Sequence, residues 1–143
     1  MATRTDKPSM IADEHQRHRQ RYQVATDPAV LAVEMLSLGT DYGANGHTTM
    51  EQADKIGRLL GLDHQSVLVD VGSGCGWPGL HLASTHGCSV ISVDPVLEGS
   101  VMSRQRAERD GMAERSLALV GDGTQLPLRS RSVDAIVHSD TLC

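Results

Sequence analysis

A glycine-rich loop that directly follows an apolar segment is the feature that most constrains this chain. In the stretch VLVDVGSGCGWPGLHLA, residues 67–83, glycines stand at positions 72, 74, 76 and 79. The apolar residues before them predict a buried strand, and glycines in such a place allow a ligand to press against the backbone. Asp70 lies in the same stretch, and a carboxylate is a poor neighbour for a phosphate.

Apolar runs alternate with helical segments after this point. The runs SVLVDV, CSVISVD, SLALVG and SVDAIVHS predict four strands, and PGLHLASTHG and VLEGSVMSRQRAERDG predict the helices between the first three. Continuous valine, isoleucine and leucine runs separated by helices are typical of a parallel sheet covered on both faces. The sequence therefore predicts an α/β fold.

The first part of the chain predicts helices. We expect residues 1 to about 10 to be disordered and IADEHQRHRQRYQVA to form a charged helix. Asp27 before Pro28 is a helix-start signal for a second helix that ends near Gly39. Thr48 and Glu51 form a T-x-x-E capping box for a third helix, which Gly61 ends.

Composition excludes several classes of function. The chain has 143 residues, enough for one domain, and a formal net charge of −5, whereas nucleic-acid binders show a basic excess. No apolar run approaches the roughly 20 residues that span a bilayer. Three cysteines without a CxxC pair favour a reduced, cytoplasmic setting, and seven histidines without an HExxH pair predict no metal site.

Acidic residues follow each of the four predicted strands. They are Asp70, Asp94, Asp122 and Asp140. Since ligands of a parallel sheet bind beyond the carboxyl ends of its strands, we expect these side chains to share one crevice. Such a crevice repels a diphosphate and favours a ligand that carries positive charge and sugar hydroxyls.

A dinucleotide is the rival ligand. Gly74, Gly76 and Gly79 satisfy G-x-G-x-x-G, which alone is weak evidence, and counted from Gly72 the third glycine position falls on Trp77. Asp94 suits either ligand, because it stands near the usual spacing for a ribose-binding acid. Asp70 and Asp122 favour the ligand without a diphosphate.

Four motifs in order resemble a known family. VDVGSGCG is similar to the D-x-G-x-G-x-G signature of class I S-adenosylmethionine-dependent methyltransferases, VISVDP to their second motif, and LVGDGTQLPLRSRSVDAIVHSD to their third and fourth. The last segment resembles the small-molecule enzymes of ubiquinone and menaquinone biosynthesis. The resemblance covers residues 46–143 and implies a Rossmann-like core with strand order 3-2-1-4, preceded by a helical cap segment over residues 1–45.

The resemblance also implies roles for individual residues. Asp70 and the backbone of Gly72, Ser73, Gly74 and Gly76 would line the methionyl side of S-adenosylmethionine, and Asp94 would bind the ribose hydroxyls. Asp122 would accept a hydrogen bond from the adenine amino group above a floor of Gly123 and Thr124. His138 and Ser139 would lie near the sulfonium.

Structural explanations compete with these roles. Asp70 could cap the following helix, and Asp94 and Asp122 could serve as turn residues. Asp134 is expected to start the fourth strand. His47, His138 and Tyr42 are candidates for acid–base work, with His47 favoured because histidine accepts a proton near neutral pH.

The chain ends just after its fourth predicted strand, whereas the family fold usually has seven. We therefore expect an exposed fourth-strand edge that associates with a second copy or a completing chain. The leading interpretation is methyl transfer from S-adenosylmethionine to a small-molecule acceptor, or the cofactor-binding half of such an enzyme. An NAD(P)-dependent oxidoreductase and an inactive cofactor-binding module are the alternatives.

Overall fold

Three helices precede the sheet. The computed structural model describes residues 7–44 and 46–140, and places α1 at Lys7–Val24, α2 at Pro28–Leu38 and α3 at Met50–Leu60. Asp27 caps α2 by accepting a hydrogen bond from the Ala29 N–H, and Gly39 ends that helix with a φ of 77°. The charged first helix is thus confirmed, but it begins at Lys7, so the expected disorder is wrong for residues 7–10; residues 1–6 lie outside the described part.

The capping box of α3 differs from the predicted one by a single residue. The N-cap is Thr49, whose side chain accepts from the Gln52 N–H, while the Gln52 side chain accepts from the Thr49 N–H. The prediction of Thr48 and Glu51 is therefore wrong. Thr48 instead turns its hydroxyl toward Asp140, so Thr49 is left to begin the helix. Gly61 ends α3, as predicted.

The remainder of the described chain forms a parallel α/β sheet. Its elements are β1 (Val67–Val71), α4 (Gly79–His86), β2 (Ser89–Asp94), α5 (Leu97–Arg109), β3 (Ser116–Val120) and β4 (Ala135–His138), with a short 3₁₀ turn at Ala113–Arg115. The order is β3-β2-β1-β4, with every neighbouring pair parallel. This confirms the predicted Rossmann-like fold class and strand order.

The core lies between the sheet and the helices that follow its strands. Leu68 and Val90, on the two central strands, pack with Leu80 and Leu82 of α4, and all four are buried. Both sheet edges are exposed: Ile136 of β4 is 51% exposed and Leu117 of β3 is 52% exposed. Asp134, predicted to start the fourth strand, directly precedes β4, and its carboxylate accepts from the Val67 N–H at 2.8 Å.

The register brings the carboxyl ends of the strands together. Val71 of β1 pairs with Val93 and with His138, and Asp94 pairs with Val120. The residues that follow these positions therefore lie along one edge of the sheet, which is where a ligand site is expected.

Candidate functional site

A cavity of about 730 Å³ lies along this edge of the sheet. One wall comes from the strand ends and the segments after them: Gly72, Asp94, Pro95, Val96, Val120, Gly121, Asp122 and Asp140. The opposite wall comes from α1: Glu14, His15, Arg17, His18, Arg21 and Tyr22. The cavity is thus acidic on the sheet side and mainly basic on the helix side.

The glycine loop after β1 is held tightly against the protein. Gly72, Gly74 and Gly76 have φ values of 71°, 52° and 100°, which L side chains rarely adopt. The Gly72 N–H donates to the Val93 carbonyl at 2.8 Å, which ties the loop to β2. Of the loop glycines only Gly72 lines the cavity; Gly74 lies behind Tyr22, and the buried Ser73 and Gly76 are not part of its wall.

Asp70 faces the start of α4 rather than the cavity. Its Oδ2 accepts a hydrogen bond from the Gly79 N–H at 2.8 Å, its Oδ1 has no hydrogen-bond partner among the described residues, and the side chain is fully buried. Burial raises the pKa of Asp70 to about 8, against the lowering effect of the Gly79 N–H. The expectation that four strand-end carboxylates share one crevice thus holds for three, because the fourth is taken up by a helix terminus.

Asp94 lies at the centre of the acidic wall. Its Oδ2 accepts from the Gly74 N–H at 2.8 Å, and its Oδ1 accepts from the Val96 N–H at 2.9 Å. Burial raises the pKa of this carboxyl, while the two backbone hydrogen bonds lower it. The side chain therefore fixes the glycine loop beside the cavity in addition to lining it.

The segment after β3 contributes one of its three predicted residues to the wall. Asp122 is exposed and lines the cavity, whereas Gly123 and Thr124 are exposed and lie outside it. The Asp122 carboxylate accepts from the Thr124 N–H at 2.8 Å, an Asx-turn contact that lowers its pKa. Gly121 lines the cavity without having been predicted as a site residue.

Asp140 stands between two cavities. It lines the large one and also a second of about 410 Å³, whose other lining residues are His47, Thr48, Gln52, Lys55, Ile56 and Leu59. Its φ is 57°, unusual for a non-glycine residue, and its Oδ2 accepts from the His47 N–H at 2.8 Å. Burial works to raise the pKa of Asp140, but the N–H groups of His47 and Thr48 lower it overall. The strand-end pattern identified this acid, although the resemblance gave it no role.

The predicted acid–base candidates are not brought together. His47 is exposed and lines only the second cavity, and His138 is exposed on β4 outside both linings. Tyr42 packs between Trp77, with ring centroids 5.2 Å apart, and the guanidinium of Arg106, 4.2 Å from its ring. Burial raises the pKa of Tyr42 to about 12. Ser139 lies beside the Thr48 hydroxyl, to which it is hydrogen-bonded.

The helix wall was missed by the sequence reasoning. The sequence predicted only a charged helix over this segment, but Arg17 and Arg21 line the cavity together with two histidines and Tyr22. The one local signal was Tyr22, an aromatic residue in a strongly charged helix and one of two tyrosines in the chain. Its partner Asp94 is 72 residues away, so no local pattern reveals the contact.

The described residues contain neither a membrane-spanning helix nor a cluster of metal-ligating side chains. No helix in that part of the chain is long and apolar enough to cross a membrane. Within the same residues, no three histidine, cysteine, aspartate or glutamate side chains are grouped so that they could hold a metal ion.

A comparison with protein families matches residues 69–143 to the family described as "Methyltransferase domain". Among proteins of curated function, no match was found.

Solved structures share the fold. The SAM-dependent methyltransferase from Thiobacillus denitrificans, in complex with S-adenosyl-L-homocysteine, is 26% identical with a TM-score of 0.56, covering 63% of this chain and 36% of that one. The RNA methyltransferase from Salinibacter ruber, with the same ligand, is 26% identical with a TM-score of 0.53, covering 55% and 52%. The MccD protein, at 15% identity and a TM-score of 0.60, supports the fold alone. The chain spans between about a third and a half of the length of these proteins.

Proposed function

The chain belongs to the class I S-adenosylmethionine-dependent methyltransferases, and from this premise we propose that its large cavity binds S-adenosylmethionine for methyl transfer to a small-molecule acceptor. The observation that carries the proposal is the pair of carboxylates, Asp94 and Asp122, on the wall of that cavity, beside the glycine loop. Carboxylates accept hydrogen bonds from ribose hydroxyls and amino groups and attract a cation, but they repel a diphosphate.

The residues present fit this cofactor. A volume of about 730 Å³ lies within the range of small-molecule sites, about 300–1,000 Å³. The start of α4, where a dinucleotide diphosphate would bind, is already filled by the carboxyl of Asp70. The acids and the closed helix terminus together favour S-adenosylmethionine over NAD(P).

We assign the predicted contacts as follows. Asp94 binds the ribose hydroxyls and Asp122 the adenine amino group, with Gly123 and Thr124 beside it. The backbone of Gly72 forms the methionyl side, with Ser73, Gly74 and Gly76 behind it in the loop, and His138 and Ser139 lie toward the reacting centre. Asp70 acts behind this surface, because its contact with Gly79 holds α4 against the loop.

Methyl transfer asks little of the protein beyond alignment and exclusion of water. When bound, S-adenosylmethionine would supply a methyl group activated by its bond to a sulfonium, for direct displacement by the acceptor nucleophile with S-adenosylhomocysteine as the leaving group. In this chain α1 forms one wall of the cavity, and the glycine loop and Asp94 would fix the position of the ligand. His47 is the candidate base for the acceptor proton, since the second cavity, which it lines, meets the first at Asp140.

Two parts of the proposal concern the protein's surroundings. We place it in the cytoplasm, with support from Cys75 and Cys88, which are both buried and free. We also propose that β4 pairs with a second copy or a completing chain, because Ile136 is exposed on a strand whose outer edge has no partner strand among the described residues.

A labelling experiment tests the activity. The chain is incubated with S-adenosylmethionine carrying a deuterated methyl group and a pool of small-molecule metabolites, and the products are analysed by mass spectrometry. We expect a deuteromethylated small molecule that is absent without the protein. Binding of S-adenosylhomocysteine without any labelled product would instead support the inactive cofactor-binding module, and label in added RNA would overturn the small-molecule acceptor.

A further inference from the structure

Tyr22 of α1 is inserted between the glycine loop and α5. The residue is 7% exposed, and its hydroxyl donates to Asp94 Oδ2 across 3.4 Å. A Cβ atom added at Gly74 would lie 3.1 Å from the Tyr22 hydroxyl oxygen, and one added at Gly99 would lie 3.0 Å from its ring. Because Gly74 and Gly99 have no side chains, they leave a slot between the glycine loop and α5 in which the Tyr22 ring lies.

The hydroxyl takes up an acceptor position that a ribose would need. A carboxylate offers about four lone-pair positions, two on each oxygen. On Asp94, Oδ1 accepts from the Val96 N–H, and Oδ2 accepts from the Gly74 N–H as well as from Tyr22. While Tyr22 is in place, Oδ1 has one position left and Oδ2 has none, so two neighbouring hydroxyls cannot bind one to each oxygen.

Of the three hydrogen bonds that Asp94 accepts, the one from Tyr22 is the easiest to break. At 3.4 Å it is longer than the 2.8 and 2.9 Å backbone contacts, and a long hydrogen bond is a weak one. Its donor is a side chain, whereas the other two donors are fixed by the loop and by the segment after β2. The ion pair between Arg19 and Glu98, at 2.8 Å, joins α1 to α5 separately from this contact.

We propose that Tyr22 is a positioning residue for ribose: its hydroxyl holds Asp94 Oδ2 in the free protein and yields it to a ribose hydroxyl when the ligand enters. The ring stays in its slot as the roof over the sugar, and the Arg19–Glu98 pair keeps α1 in place during the exchange. This inference rests on the proposed function, because it requires a ligand with a ribose diol at Asp94.

The experiment compares ligands with and without the diol on Tyr22→Phe, which keeps the ring. Adenosine and 2′,3′-dideoxyadenosine compete with radiolabelled S-adenosylhomocysteine at pH 8 on the wild type and on the variant. Because phenylalanine frees one acceptor position, we expect adenosine to bind about 2- to 10-fold tighter to the variant, the worth of one hydrogen bond, with no change for dideoxyadenosine. Thermal unfolding checks that the variant folds.

Other outcomes overturn the inference. An equal shift for both nucleosides would show that Tyr22 acts through packing alone, and no shift or weaker adenosine binding would show that its hydroxyl does not compete with ribose. If the wild type fails to bind S-adenosylhomocysteine, the proposed function itself fails.

A second measurement does not depend on the folding of Tyr22→Phe. The wild type, which has two tyrosines, is labelled with 3-fluorotyrosine, and the two ¹⁹F resonances are assigned with Tyr42→Phe. We expect adenosine to shift the Tyr22 resonance further than dideoxyadenosine does, because only adenosine displaces the Tyr22 hydroxyl from Asp94. A Tyr22 resonance that responds equally to both nucleosides would overturn the inference.

Discussion

The carboxyl of Asp70 accepts a hydrogen bond from the Gly79 N–H at 2.8 Å, at the first residue of α4. The protein thereby fills, with its own side chain, the helix terminus that follows its glycine loop. In dinucleotide-binding folds that terminus receives the diphosphate. The same contact places a fully buried carboxyl in the core, and its effects on stability can be measured.

Asp70 is expected to make stability depend on pH. Since its pKa is raised to about 8 in the folded state from 3.8, the folded protein retains a proton that the unfolded chain loses. The stabilisation is complete below pH 4 and is lost as pH rises toward 8. Asp70→Asn keeps an acceptor for the Gly79 N–H but has no carboxyl that can ionise. We therefore expect the unfolding free energy of this variant to fall by about 1–3 kcal/mol less between pH 5 and pH 8 than that of the wild type. Urea unfolding at both pH values measures this; equal losses would contradict it.

Gly79 is expected to tolerate no side chain. A Cβ there would lie 2.6 Å from Asp70 Oδ2 and 2.7 Å from Asp70 Cβ, inside the buried contact. We expect Gly79→Ala to cost about 3 kcal/mol of unfolding free energy because the core is overpacked. Gly61→Ala is the control: its Cβ meets nothing within 4 Å, and its φ of 62° costs about 1 kcal/mol. Urea unfolding measures the stability of both variants. If Gly79→Ala lost less unfolding free energy than Gly61→Ala, the packing argument would be refuted.

Asp94 is expected to determine cofactor affinity. Replacing it with asparagine removes the charge and one acceptor oxygen, so we expect S-adenosylhomocysteine to bind about 10- to 100-fold more weakly. Glu108→Gln serves as the matched control, because Glu108 is exposed on α5, away from the cavity lining, and pairs with Arg104 at 3.8 Å. Calorimetric titration measures both variants. Unchanged affinity in Asp94→Asn would remove this residue from the site.

The β4 edge is expected to drive self-association. Ile136, 51% exposed, lies on a strand whose outer edge is unpaired among the described residues. Ile136→Lys puts a charge on that edge, and we expect it to lower the concentration-dependent increase in sedimentation coefficient. Leu36→Lys on α2, where leucine is 89% exposed, is the control and should leave the increase unchanged. A wild type that sediments as a monomer at every concentration would contradict the proposal.

Local patterns were sufficient to predict most of the fold. The alternation of apolar runs and helices, with Gly39, Gly61 and Gly87 at helix ends, predicted the elements, because these signals lie within a few residues of the structure they specify. Asp94 was placed at the cavity for a similar reason, since parallel strands bring their carboxyl ends to one edge. The capping box was misplaced by one residue because two adjacent threonines can both cap, and only the tertiary contact of Thr48 with Asp140 separates them.

The rest of the site depends on contacts between distant residues. The direction of the Asp70 side chain is set by the position of α4, and the basic wall of the cavity exists because α1 packs across the strand ends, as Tyr22 shows by reaching Asp94. Apart from Tyr22, nothing within α1 distinguishes a cavity wall from a solvated helix face. Sequence reasoning therefore identified the acids of the site and missed the helix that encloses them.

We propose that the carboxylates of this cavity select an adenosyl sulfonium ligand over a phosphorylated coenzyme. Calorimetric titration of the wild-type chain with S-adenosylhomocysteine and, separately, with NAD tests it most directly. We predict saturable one-site binding of S-adenosylhomocysteine and no heat of binding for NAD at the same concentrations. Binding of NAD without binding of S-adenosylhomocysteine would contradict the claim.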